Sequence, residues 1–327
     1  IRDQPRSRGL GDVYKRQVND SVLETLKNAD KIIFCGCGTA YHAGLYGKAV
    51  FERILNIPCE CVVASEFDEV RFCGEKVAGV FITQSGETAD TLLALKRCKA
   101  QGGKTVALTN VEASSITFEA DETLYLGAGT EVAVAATKSY VCQLLALYIL
   151  AKACVRQSVS KGEITRVANC ARDICAVSLY EDKIKKAKLF FIGKGIDFIT
   201  AQEGSLKFKE ITYKMTDAYQ AGELKHGTIA LVDGKSVVIV VATNGKDKER
   251  IEASVSELKS RGAYVIAIES IGETGANKTY ELPRISDDLL LPVLSVIPLQ
   301  SLALTASLCL GLDPDKPRNL AKSVTVI

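Results

Sequence analysis

Short unbroken apolar runs alternate with amphipathic stretches along most of this chain. Lys31-Ile32-Ile33-Phe34, Cys61-Val62-Val63, Val80-Phe81-Ile82 and Lys104-Thr105-Val106-Ala107-Leu108-Thr109 read as strands, and Leu124-Tyr125-Leu126 opens another. None shows the strict apolar–polar alternation of a half-exposed strand, so each is expected to be buried on both faces. Helical spacing falls between them, through Phe51-Glu52-Arg53-Ile54 and Thr91-Leu92-Leu93-Ala94-Leu95-Lys96, with a short helix at 21–27 and a long apolar one at about 138–153. Alternating strands and helices predict an α/β fold, a parallel sheet flanked by helices on both faces.

The pattern then repeats. Lys31-Ile32-Ile33-Phe34-Cys35-Gly36-Cys37-Gly38 matches Lys188-Leu189-Phe190-Phe191-Ile192-Gly193-Lys194-Gly195 at an offset of 157 (188 − 31), and the run from Lys99 matches that from Lys259 at 160 (259 − 99). A duplicated α/β domain follows: residues 18–155, a polar helical linker at 156–182, and residues 183–327. Residues 1–17 lack apolar periodicity and are read as a foreign or disordered leader, outside the fold. The chain does not begin with Met, and natural sequence is expected upstream of it.

The copies differ where the third strand meets its helix. The first has Thr83-Gln84-Ser85-Gly86-Glu87-Thr88, a hydroxyl-rich loop with a Gly that lets the backbone curl toward a ligand. A helix start offers unpaired N–H groups and a favourable dipole to an anion. Without a Lys the loop does not fit a nucleoside-triphosphate pattern, and a phosphomonoester suits it better. The plainer alternative is an ordinary helix cap, Ser85 with Glu87 or Thr88. The second copy reads Ala242-Thr243-Asn244-Gly245-Lys246-Asp247, so one phosphate loop is intact and the second copy is expected to serve another role. A dinucleotide fingerprint is absent: after Gly36-Cys37-Gly38 and Gly193-Lys194-Gly195 the third Gly positions hold Tyr41 and Phe198.

Composition removes several classes. With 41 basic and 39 acidic residues the net charge is +2, which gives no electrostatic case for nucleic acid or an anionic membrane. The eleven cysteines form C-x-C pairs (Cys35 with Cys37, Cys59 with Cys61) rather than zinc spacing, and only His42 and His226 could join them. They are read as reduced, buried small hydrophobes of a cytoplasmic protein. Residues 289–312 are uncharged and long enough to span a bilayer, but Pro292, Pro298 and Gln300 favour a helix buried between domains or subunits.

Titratable groups gather in three further places. Lys207 and Glu210 share a helix face, where a plain surface ion pair would contribute little. His226 lies in the Gly-bounded turn Ala221-Gly222-Glu223-Leu224-Lys225-His226-Gly227. The tail Arg318-Asn319-Leu320-Ala321-Lys322-Ser323-Val324-Thr325-Val326-Ile327 either frays or holds Lys322 in a pocket, where an amine gains nucleophilic use.

The stretches QSGETADT, EGSLKFKEITY, AYQAGELKHG and DPDKPRNLAKSVTV together resemble the isomerase half of the glutamine–fructose-6-phosphate aminotransferase (glucosamine-6-phosphate synthase) family, over about residues 18–327. The resemblance implies two sugar isomerase (SIS) domains, the second ending in a catalytic tail. It implies that Thr83, Gln84, Ser85 and Thr88, with Thr39, hold the phosphate of fructose 6-phosphate, and that the backbones of Val134 and Ala321 touch the sugar. Lys322 would form a Schiff base with the open-chain ketose. His226, from a neighbouring subunit, would open the ring; Glu210 would move a proton between C1 and C2, with Lys207 beside it. No metal or cofactor is implied, and a homodimer is. Several positions depart from the pattern: Ala40 and Ala136 stand where the family usually has Ser, and Ser65-Glu66-Phe67-Asp68-Glu69-Val70 lacks the usual aromatic–Arg continuation. No stretch matches the family's glutaminase half, so the chain is expected to isomerise hexose 6-phosphate and to make glucosamine 6-phosphate only with ammonia or that half supplied. The alternatives are a stand-alone SIS isomerase or deglycase, and a non-catalytic sugar-phosphate sensor.

Overall fold

The computed structural model describes residues 18, 20–176 and 179–326; the expected leader at 1–17 lies outside them. Two compact units form among these residues, one ending at Thr165 and including residues 321–326, the other running from Arg166 to Leu320.

The first unit contains α1 (Asp20–Lys27), β1 (Lys31–Gly36), α2 (Thr39–Leu55), β2 (Cys59–Val63), β3 (Val77–Thr83), α3 (Ala89–Ala100), β4 (Lys104–Thr109), α4 (Ser115–Glu119), β5 (Glu122–Tyr125) and α5 (Lys138–Cys154). Its five strands pair in parallel in the order β2-β1-β3-β4-β5. The apolar runs of β1, β3 and β4 are buried as expected, with every residue of β3 out of solvent, whereas β2 and β5, at the two edges of the sheet, are only partly buried. Phe34 of β1 packs edge-on to Phe51 of α2, with ring centres 5.1 Å apart. The other face holds a core that includes Ile33, Phe67, Phe81, Leu95 and Cys98.

The helix α6 (Lys161–Ile174) carries the boundary, where a linker was expected. The second unit continues with β6 (Lys188–Gly193), α7 (Ile196–Thr212), β7 (Thr216–Gln220), β8 (Ser236–Ala242), α8 (Lys248–Ser260), β9 (Tyr264–Glu269), β10 (Lys278–Glu281) and α9 (Leu291–Cys309). Its sheet, β7-β6-β8-β9-β10, is again parallel and has the same topology as the first. The membrane-length apolar stretch is α9, mostly buried within this unit against α7. Gly204 makes that approach possible: a Cβ there would lie 2.6 Å from Leu299 Cδ1.

The cysteines are all free. Burial pushes the thiols of Cys59, Cys61, Cys98 and Cys142 up to about 12, which leaves them protonated and inert. Cys73 and Cys309 do not fit the expectation of burial; both are exposed, in a turn before β3 and at the last residue of α9.

The tail was expected to belong to the second copy, and its placement corrects that. Its residues 321–326 pack with the first unit, where the Ala89 N–H donates to the Val324 carbonyl at 3.0 Å. An otherwise orphaned donor at the start of α3 thus finds its acceptor far along the chain.

Candidate active site

In a 2-1-3-4-5 sheet, ligands bind outside the carboxyl ends of the strands at the switch point between β1 and β3. The loops there are Cys37–Ala40 and Gln84–Thr88. They enclose a pocket of about 120 Å³ that Thr39, Ala40, Thr83, Gln84, Ser85, Thr88, Ala136 and Lys322 help to line. On a measure by which one water needs about 10–15 Å³, this holds roughly ten water-sized groups, a phosphate with part of a carbon chain.

The loop hydroxyls are not spent on capping. No side chain caps the start of α3; Thr88 Oγ1 instead lies 3.1 Å from Thr83 Oγ1, which also accepts the Gly86 N–H. Ser85 Oγ accepts the Glu87 N–H, and Glu87 itself turns away to Ser115. Gly86 has φ +74°, and a Cβ there would collide with the Ser114 side chain. The ordinary-cap reading of this loop is therefore overturned.

Lys322 enters the same pocket. Its ammonium donates to Glu131 Oε2 at 3.1 Å and to the Ala133 carbonyl at 2.6 Å. Glu131 is almost wholly buried, and it also accepts from the backbone N–H groups of Thr137 and Ser139 and from Ser139 Oγ. Burial pushes its carboxyl up, but these donors and Lys322 outweigh it and hold the group below its ordinary value. Glu131 was missed in the sequence, although an acid between Gly129 and the run Thr137-Lys138-Ser139 is a plausible carboxylate for orphan N–H groups at a helix start. Gln143 was missed too: its Oε1 is buried at the pocket without a partner, an acceptor suited to a ligand hydroxyl. Val134 and Ala321 do not line the pocket; the neighbouring Ala133 supplies the backbone contact to Lys322.

Glu210, Lys207 and His226 belong to the second unit. Lys207 is no surface residue: it is 2% exposed, 2.5 Å from Glu210 and 3.5 Å from Glu203, itself wholly buried one turn earlier on α7. Burial alone would pull this ammonium down, yet the two carboxylates carry it above its ordinary value. The surface-pair reading fails because i,i+3 spacing reveals a shared face and not its depth. His226 is exposed in a short 3₁₀ turn, Leu224–His226, followed by Gly227 at φ +148°. Among the described residues no group of His, Cys, Asp and Glu has the makings of a metal centre.

The sequence model of the SIS domain matches residues 25–153 and again 184–308. The chain belongs to the SIS domain family. Both SIS domains coincide with the parallel sheets described above. The chain is 42% identical, over its whole length, to a glutamine–fructose-6-phosphate aminotransferase [isomerizing] of Caldanaerobacter subterraneus subsp. tengcongensis, and spans 57% of that relative. Among solved structures, the C-terminal domain of glucosamine-fructose-6-phosphate aminotransferase from Francisella tularensis is similar at a TM-score of 0.83 and 28% identity, with 95% of each chain covered. A glucosamine-6-phosphate deaminase from Thermotoga maritima matches this double-SIS chain at a TM-score of 0.78 and 26% identity, covering 97% of this chain and 98% of that one.

Proposed function

We propose that this chain carries the ketose–aldose chemistry that converts fructose 6-phosphate and ammonia to glucosamine 6-phosphate, as the isomerase half of a longer aminotransferase. The observation that carries the reading is that one small pocket is lined by four loop side chains suited to a phosphate and by a lysine amine anchored on a buried carboxylate. The names and coverage of the relatives support it.

In this reading Thr39, Thr83, Gln84, Ser85 and Thr88 take the phosphate. Lys322, once it has passed a proton on, adds to the C2 ketone of the open-chain sugar and expels water to give an imine. Ammonia displaces the lysine. Glu210 then takes a proton from C1 and the proton returns at C2, which leaves an aldehyde at C1 and an amine at C2. An ammonium such as Lys207 stabilises negative charge as it develops. His226 is assigned to ring opening, in a homodimer, and glutamine-derived ammonia to sequence outside this chain.

The test is deuterium exchange at C1 of fructose 6-phosphate in D₂O, followed by NMR, on the parent chain and on Lys322→Ala and Glu210→Gln. Exchange that is lost in Glu210→Gln supports the assignment; exchange that is unchanged in it removes Glu210 as the base. A second reading, favoured by the full-length likeness to a deaminase, runs the same steps backward, and net ammonia release from glucosamine 6-phosphate by the chain alone would select it.

A further inference from the structure

The second SIS domain preserves the strand and helix framework around the phosphate pocket. Its β6–β8 register, Lys188 opposite Ser236, is that of β1–β3, Lys31 opposite Val77, at offsets of 157 and 159. The helices that follow, α2 and α7, are both 17 residues long and start from glycines of nearly identical backbone, Gly38 at φ 54°, ψ −121° and Gly195 at φ 60°, ψ −124°. Gly36 and Gly193 let the first helical turn pass close to the strand end: a Cβ would meet Ala40 in one and Asp197 in the other. By these registers Asp197 stands where the first unit has Ala40, and Thr243 where it has Gln84.

Asp197 is 2% exposed. Its carboxylate accepts the Thr243 N–H at 2.7 Å and the Thr243 hydroxyl, at the switch point between β6 and β8. The Asn244 N–H also favours its ionised form. A backbone N–H and a hydroxyl from the loop after the third strand converging on oxygens is the arrangement an anion requires. In the first unit the same position ends in the methyl group of Ala40, and the space beyond it is the pocket.

We propose that the second unit retains the anion cradle of the first and fills it with its own carboxylate, so that Ala40 and Asp197 determine which unit accepts a phosphate group. The ligand class of the opened cradle is a small oxyanion or phosphate monoester. At its rim Asp247, in the place of Thr88, is paired with Lys194 at 2.5 Å, which offsets its repulsion of an incoming anion.

The proposal rests on reading the first pocket as a phosphate site, and the test separates the two. Inorganic phosphate bound per chain is counted by equilibrium dialysis, with melting followed in parallel, for the parent and for Asp197→Ala. The expected result is one additional equivalent in the variant and a rise in its melting temperature with phosphate beyond any rise in the parent. Because the count is a difference, a parent that binds no phosphate refutes the first-pocket reading, and the proposal is then decided by the gain in Asp197→Ala alone. A folded Asp197→Ala with no gain overturns it. So does a variant that stays unfolded at every phosphate or acetate concentration, since an emptied anion cradle should be refilled from solution. Where the parent binds one equivalent, Ala40→Asp should remove it, and retention of that equivalent would likewise overturn the proposal.

Discussion

Replacing Glu131 by Gln separates the two roles of that side chain. Oε1 accepts the N–H groups of Thr137 and Ser139, and Oε2 accepts Ser139 Oγ and the Lys322 ammonium. An amide oriented with its oxygen at Oε1 keeps both backbone bonds, and the Ser139 hydroxyl can rotate to accept from the NH₂ group. The ammonium cannot adapt: it would face a donor and keep only the Ala133 carbonyl. Charge-assisted hydrogen bonds contribute ~1.5–3 kcal/mol each, and the lysine side chain is 30% exposed, so the lower end applies. A loss of ~1.5 kcal/mol lowers the ratio of held to released Lys322 roughly tenfold. The assay is borohydride trapping of the lysine–fructose 6-phosphate imine, quantified by mass spectrometry of the Lys322 peptide. Glu131→Gln should trap more slowly than the parent, by up to about tenfold, while melting within a few degrees of it. Trapping at the parental rate would refute the anchoring role. Because the Glu131 carboxyl lies below its ordinary value, its contribution to stability is full above the unfolded-state pKa and disappears as pH falls through the folded one.

Lys207→Met should cost about 3–5 kcal/mol in urea unfolding, because Glu203 is left buried without its cation, and adding Glu203→Gln should recover much of the loss; a single variant within 1 kcal/mol of the parent would contradict this. Asp197 should make the protein less stable as pH rises from about 4 to 6. Burial outweighs its bonds to Thr243 and Asn244, and nearby Asp247, itself paired with Lys194, adds to the rise from the ordinary 3.8 to about 6; the folded state therefore holds the proton more tightly than the unfolded one. That rise corresponds to ~3 kcal/mol, and the difference in urea midpoint between parent and Asp197→Asn across this range measures it. Gly86→Ala should add about 1–2 kcal/mol of backbone strain besides its collision with Ser114, and displace the loop; an unchanged KM for fructose 6-phosphate would show that the loop does not hold the ester.

The interior strands were legible because burial on both faces writes them as apolar runs, and the duplication was legible because two nearly equal offsets tie the runs together. The edge strand β7, Thr216-Asp217-Ala218-Tyr219-Gln220, carries no such signal, since an edge strand is half exposed and its side chains are mostly polar. The hydroxyl loop and Lys322 could be picked out by residue type. That Lys322 meets Glu131, almost two hundred positions earlier, could not, because the bond is made by tertiary packing alone. The depth of Lys207 was hidden for a similar reason: α7 is buried nearly all round, so charge spacing along it does not distinguish a solvent face from the interior.

The distribution of the thiols has a practical side. Cys73 lies in the first unit and Cys309 in the second, both open to solvent, while the deeply buried thiols are held protonated. A maleimide dye pair should therefore enter the unmodified chain preferentially with one label on each unit. Energy transfer between the labels would report, in solution and as sugar phosphate is added, whether the distance between the two labels changes, without a single engineered residue.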